Sequence, residues 1–137
     1  MTKNYITRFI SLIIFLFLLT LSPVAQAEWT KVGMIKSGKT HYVDLERIRK
    51  HEGKVYYWEL TDFLKPFADS TFSIMTYGEA ECGSLKYRFL KTTWHSKPMG
   101  EGKSHQTFKN ESDGMWGYPS RNSLKERVLE LVCNHKP

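Results

Sequence analysis

Val55-Tyr56-Tyr57-Trp58-Glu59-Leu60-Thr61-Asp62-Phe63 decides how this chain is read. Tyr56, Trp58 and Leu60 alternate with Tyr57, Glu59 and Thr61, a period of two that belongs to a β-strand rather than a helix. His51-Glu52-Gly53-Lys54 supplies a turn before it, and Pro66, which cannot donate to a ladder, ends it. Downstream, Thr71 to Cys82 alternates again. Phe72, Ile74, Thr76, Gly78, Ala80 and Cys82 fall on one face, and Thr71, Ser73, Tyr77, Glu79 and Glu81 on the other. Leu85 to Trp94 is a further strand, Lys97 to Gly102 a loop and His105 to Phe108 a short strand. Asn110 to Gly117 is polar and irregular around Trp116. Upstream, Trp29 to Lys36 and His41 to Val43 flank the hairpin turn Ser37-Gly38-Lys39. Asp44 suits the N-cap of a short helical turn through Ile48, because its carboxylate accepts from exposed backbone N–H groups.

The last element differs in period. Ser123-Leu124-Lys125-Glu126 matches a capping box, and Leu124, Val128, Leu131 and Val132, widened by Leu129, form an apolar stripe at helical spacing. Cys133 sits at the edge of that stripe, positioned to tie the helix to the strand ending at Cys82. The expected fold class is α+β: an antiparallel meander of five to six strands packed against one C-terminal helix, stapled by a disulfide.

The first 27 residues belong to another category. Lys3 and Arg8 precede an apolar run from Ile10 to Leu19, Ser22-Pro23 breaks it, and Ala25-Gln26-Ala27 offers small residues where a signal peptidase inspects the chain. This is the pattern of a secretory signal peptide, removed before folding. The run is shorter than the ~20 residues of a membrane-spanning helix, so no stable span is expected after cleavage. No cysteine lies near the cleavage point for a lipid anchor. Residues 28 to 137 then form a single domain in an oxidising compartment, the periplasm or the surface of a Gram-negative cell. Two cysteines in an exported chain read as one bond, Cys82–Cys133, whose loop of about fifty residues is worth roughly 4 kcal/mol in the chain-entropy model. Without Lys3 and Arg8, 18 basic residues face 14 acidic ones, a mildly basic balance that favours acidic or anionic partners. Export argues against nucleic acid.

Sequence patterns for chemistry give little. Gly33-Met34-Ile35-Lys36-Ser37-Gly38-Lys39-Thr40 matches the phosphate-binding loop letter for letter, but Thr40 to Val43 is strand-like where that loop requires a helix, so it reads as a hairpin turn. The histidines, His41, His51, His95, His105 and His135, show no paired metal-ligand spacing. Glu79 and Glu81 share a strand face and read as exposed, solubilising glutamates. No nucleophile–base pairing can be assembled, and neither an enzyme nor a resident cofactor or metal is expected. Lys86, Arg88 and Lys91, with Tyr87 and Phe89 interleaved, make a basic and aromatic strand. Lys86, Tyr87, Arg88 and Lys91 are accordingly the candidate partner-binding residues. A haem-like small-molecule carrier using Tyr87, His95 or Met99 is the alternative, and a structural or assembly factor of the envelope is a third reading.

The order of landmarks resembles the surface-adhesin protein E-like family of small exported bacterial proteins. Those landmarks are Trp29, Tyr42-Val43-Asp44 with Ile48, Gly53 before Val55-Tyr56-Tyr57-Trp58, and Glu81-Cys82. Met99-Gly100-x-Gly102, Trp116 with Pro119, and a helix ending in Cys133 complete the series. The resemblance implies a curved antiparallel sheet against one helix, braced by Cys82–Cys133. It also implies a non-enzymatic, envelope-associated binding protein, similar to adhesins that engage host plasma and matrix proteins such as vitronectin. By position, that family's basic strand corresponds to Lys86 and Arg88.

Overall fold

Tyr57 lies directly opposite Gly78 on the neighbouring strand, and the pair shows how the sheet is built. A Cβ on Gly78 would come within 2.8 Å of the Tyr57 ring, so only glycine lets that fully buried ring lie flat across the sheet. The computed structural model describes residues 27–67, 70–109 and 115–136; residues 1–26 of the proposed leader and residues 110–114 of the expected irregular stretch lie outside them. Six strands follow in chain order: β1 Trp29–Met34, β2 Lys39–His51, β3 Lys54–Phe67, β4 Thr71–Glu81, β5 Lys86–His95 and β6 Ser104–Lys109. They form one sheet in which each strand pairs antiparallel with its sequence neighbour, in spatial order β1-β2-β3-β4-β5-β6. A single helix, α1 (Leu124–Asn134), lies against one face, and a 3-10 turn at Pro98–Gly100 lies over one end of the other. The α+β meander with one helix is therefore the architecture. Cys82 and Cys133 are bonded, with Cα atoms 5.7 Å apart.

The core lies between α1 and the sheet: Val43, Ile48, Val55, Tyr57 and Ala80 meet Val128, Leu129 and Val132. Leu124 packs over Gly33 on β1. The Ser123 hydroxyl caps the helix by accepting from the Glu126 N–H at 3.1 Å. The other half of the expected box is displaced by one residue. The Glu126 carboxylate accepts from the Asn122 N–H (2.6 Å) rather than from Ser123, because Asn122 turns into the left-handed region at φ 59°.

Two local expectations are corrected. Residues 44–48 are not a helical turn, since β2 runs unbroken to His51. Its register jumps, however: Asp44 faces Trp58 and Arg49 faces Tyr56, so four residues of β2 bulge against Tyr57 alone. The Asp44 carboxylate does accept from the Glu46 and Arg47 N–H groups (both 3.1 Å), which the bulge takes out of the ladder. The cap chemistry is present without the helix. Pro66 likewise does not end β3, which continues to Phe67. Pro66 falls in the irregularity between Asp62 and Phe67, where no ladder bond requires its missing N–H. At the opposite end, Glu52 (φ 49°) and Gly53 (φ 75°) close a two-residue hairpin of the primed type, matching strand twist.

Candidate binding face

Because side chains alternate along a strand, the register assigns each residue to a face. His41, Val43, Val55, Tyr57, Glu59, Thr76, Ala80, Tyr87 and Phe89 point toward α1. The opposite, open face carries Trp29, Tyr42 and Asp44, then Tyr56, Trp58, Leu60 and Asp62. Met75, Tyr77 and Glu79 follow on β4, and Arg88 and Lys91 on β5. Five aromatic side chains thus stand on four adjacent strands, all of them half-buried.

They form a connected surface. The Trp58 and Tyr77 rings are 4.9 Å apart, and Tyr56 stacks on Tyr77 at 6.3 Å. The Arg47 guanidinium, carried up by the β2 bulge, stands 5.6 Å from the Trp29 ring and 5.3 Å from Trp58. Asp44, fully buried, fixes it through an Nε–Oδ2 contact of 2.5 Å. Arg47 Nη2 is buried without a hydrogen-bond partner. It borders a cleft of about 550 Å³ lined by Trp29, Met75, Met99, Gly100 and Glu101. The 3-10 turn walls this cleft, held by the Met99 N–H donating to Asp62 (2.7 Å) and by Ser73 Oγ accepting from the Gly100 N–H (2.9 Å). Burial raises the Asp62 pKa above the usual carboxylate value, only partly countered by the Met99 hydrogen bond.

At the far end the indole of Trp116 gathers cations. Lys86 and Arg88 lie 4.8 Å from its centroid and Lys54 lies 5.8 Å away. Gly117 exchanges two backbone hydrogen bonds with Tyr87, which places Trp116 beside the first half of β5. Glu79 corrects the expectation of an exposed glutamate: it is 1% exposed and receives Lys54 at 2.8 Å and Arg88 at 2.6 Å. Burial pushes its pKa up, but the two cations outweigh it and hold the carboxyl below the usual value. Glu81 stays half-exposed and pairs with Lys86.

The structure divides the predicted site residues. Lys86, Arg88 and Lys91 share the open face, with Lys91 Nζ 6.0 Å from the Trp58 ring. Tyr87 turns to the helix face, where Lys125 Nζ lies 4.8 Å from its ring and 4.6 Å from Phe89. Nor do Tyr87, His95 and Met99 converge. Met99 lines the open-face cleft, and His95 lies near His105, its pKa lowered chiefly by burial and secondarily by that neighbour. Among the described residues, no group of three or more histidine, cysteine or acidic side chains is arranged to hold a metal. Sequence reasoning missed Trp29, Arg47 and Trp58 as members of one surface. Their alternation was visible, but the bulge that brings Arg47 between two indoles was not.

Comparison with known proteins bears on the family and the fold. The family model for surface-adhesin protein E matches residues 29–134. Crystal form II of Haemophilus influenzae protein E superposes with a TM-score of 0.56 at 13% identity, over 84% of this chain and 96% of that one. A second structure, protein E from non-typeable Haemophilus influenzae, gives 0.50 at 13% identity, over 82% and 81%. No curated protein matches the chain in sequence. The family model spans the whole sheet, the helix and both disulfide cysteines, so the chain belongs to the surface-adhesin protein E family.

Proposed function

We propose that the protein is a non-enzymatic binding module of the bacterial envelope, and that its open sheet face docks a protein or acidic-polymer partner. One observation carries this reading. The helix covers one face of the sheet, while the other presents Trp29, Tyr42, Tyr56, Trp58 and Tyr77 half-buried, interleaved with Arg47 and Lys91. Aromatic and arginine side chains are the groups that dominate interface energetics, because they bury large rigid surfaces at low entropic cost. Family membership supports an adhesin-like role, and the N-terminal leader pattern supports export.

The basic residues divide by task. Arg88 and Lys54 are engaged with buried Glu79 and serve the fold first. Lys91 and Lys86 are better placed to meet a partner's carboxylates, with Trp58 as the apolar anchor beside Lys91. The test is immobilised protein offered plasma and matrix proteins and, separately, a sulfated polysaccharide. Trp58→Ser with Lys91→Glu is expected to weaken capture by about tenfold or more, while a control Arg127→Glu at an exposed position of α1, on the opposite face, keeps it. Equal capture by both variants would discard the open face as the site. Protease cleavage of a tagged copy on intact cells, against a periplasmic control, distinguishes surface display from a periplasmic location.

A further inference from the structure

The β1–β2 turn meets the last residues of β3 at one end of the sheet and exposes what the rest of the molecule hides. Gly38, at the β1–β2 turn, abuts Leu64 near the end of β3, where a Cβ would come within 2.8 Å of the leucine. Lys39 faces Phe63 across the ladder, and Phe63 and Phe67 stack at 5.3 Å with rings inclined by only 16°. Around this contact Met34 is 62% exposed, Ile35 42%, Leu64 79% and Phe67 50%. These are four of the six large apolar side chains that are exposed among the described residues. Single exposed apolar residues are ordinary, but a cluster marks a surface that meets something.

The charge around the cluster identifies its counterpart. Lys36 and Lys65 are exposed beside it, and Lys39 Nζ lies 5.4 and 5.5 Å over the two phenyl rings. Residues 34–39 and 63–67 contain three lysines and no carboxylate; of the flanking acids Asp62 and Asp69, Asp62 accepts from the Met99 N–H on the open face. Hydrogen bonds from Ile35 N–H to Lys39 C=O and from Gly38 N–H to Ile35 C=O close the β1–β2 turn. A fixed apolar tip ringed by long-stemmed cations suits the boundary between acyl chains and headgroups, where lysine heads reach outward to phosphate while their stems stay apolar. An uncharged apolar partner would have no use for three lysines, and a basic one would be repelled.

We propose that this end of the sheet, Met34–Lys39 with Phe63–Phe67, docks on an anionic lipid bilayer. The site shares no residue with the open-face reading and stands apart from it.

The test is flotation of the exported protein, its N-terminus fixed by mass spectrometry, with vesicles of phosphatidylglycerol in phosphatidylcholine or of phosphatidylcholine alone. The protein is expected to float with the anionic vesicles and to be released as salt rises. Leu64→Ser with Phe67→Ser should lower that binding about tenfold or more. Lys36→Glu with Lys65→Glu should erase the preference for anionic lipid. Trp58→Ser with Lys91→Glu should float as the wild type does, which keeps the two surfaces distinguishable. Unfolding temperatures of all variants guard against trivial loss of fold. Absence of the wild type from anionic vesicles, or equal flotation of the tip variants, overturns the proposal. So does sedimentation velocity showing that the tip substitutions abolish self-association while flotation is unchanged.

Discussion

The two faces of the sheet each bury a glutamate, and they neutralise it in different ways. On the helix face Glu59, 6% exposed, is held by both oxygens at 2.5 Å to Lys125, a residue of α1 sixty-six positions away. On the open face Glu79 is held by Lys54 and Arg88, residues of the strands on either side. The first carboxylate depends on the helix staying docked. The second depends only on the strand ladder, so this face keeps its charge order without a covering layer and its aromatic residues stay available. Layering serves stability on one side, and its absence leaves the other side uncovered, the side proposed above for binding.

The comparison breaks first at the disulfide. Cys82–Cys133 joins the end of the helix to the end of β4, and reduction or paired Cys→Ser substitution should lower stability by about 4 kcal/mol. Urea unfolding measures the loss. Hydrogen exchange adds the sharper readout: α1 amides should lose protection before those of β3 and β4. Simultaneous loss in helix and strands would mean that the faces are not separable.

Lys125→Ala is the next largest. It leaves Glu59 charged, buried and unpaired, which costs about 3 kcal/mol or more. Lys125→Met combined with Glu59→Leu should recover most of that loss, since apolar replacements of both partners remove the desolvation cost as well. A single variant within about 0.5 kcal/mol of wild type, the range of an ordinary surface substitution, would show that the pair is not buried in solution.

Acid separates the faces by window. His41, on the helix face, has its pKa lowered from 6.5, chiefly by burial and further by Lys125 and Lys39 against an opposing pull from Glu59. The unfolded chain therefore takes up this proton first. The contribution of neutral His41 is complete above about pH 6.5 and declines as pH falls through the folded value. Glu79 is a carboxylate held below its ordinary 4.5, so its contribution is present above that value and is lost as pH falls through the lower folded value. Stability measured against pH should thus show two declines. His41→Gln should shrink the upper one, to which His95 also contributes, and Glu79→Gln should remove the lower. A wild-type profile flat from pH 7 to 5 would contradict the His41 assignment.

Much of this was legible in the sequence, for identifiable reasons. Alternation in Tyr56–Thr61 and the stripe from Leu124 to Val132 are direct consequences of strand and helix period, and two cysteines leave one pairing. Register was not legible. Glu79 was misread because its burial comes from Lys54 and Arg88, which flank it only once both neighbouring strands are aligned. Tyr87 joined the basic candidates by adjacency in sequence, yet adjacency along a strand means opposite faces. The β2 bulge was read as a helical cap because the same Asp44 chemistry serves both. Nothing in residues 44–49 alone says which set of N–H groups the carboxylate will satisfy.

The smallest expected effect on stability tests the division of labour most directly. Trp58 and Lys91 lie on the open face, half-buried, and neither neutralises a buried charge. Lys91→Glu alone should shift unfolding by no more than about 0.5 kcal/mol, as for surface positions generally. Trp58→Ser removes the ring that Tyr77 and Arg47 approach and should cost somewhat more, about 1 kcal/mol, the worth of an aromatic contact. Set beside Lys125→Ala, this pair should give the inverse ratio of consequences. The helix-face variant loses stability while its folded fraction still binds the partner, and the open-face variant stays folded and does not bind. If Trp58→Ser proved as destabilising as Lys125→Ala, the aromatic face would be a second core with its own cover, and a partner would have to be sought elsewhere on the molecule.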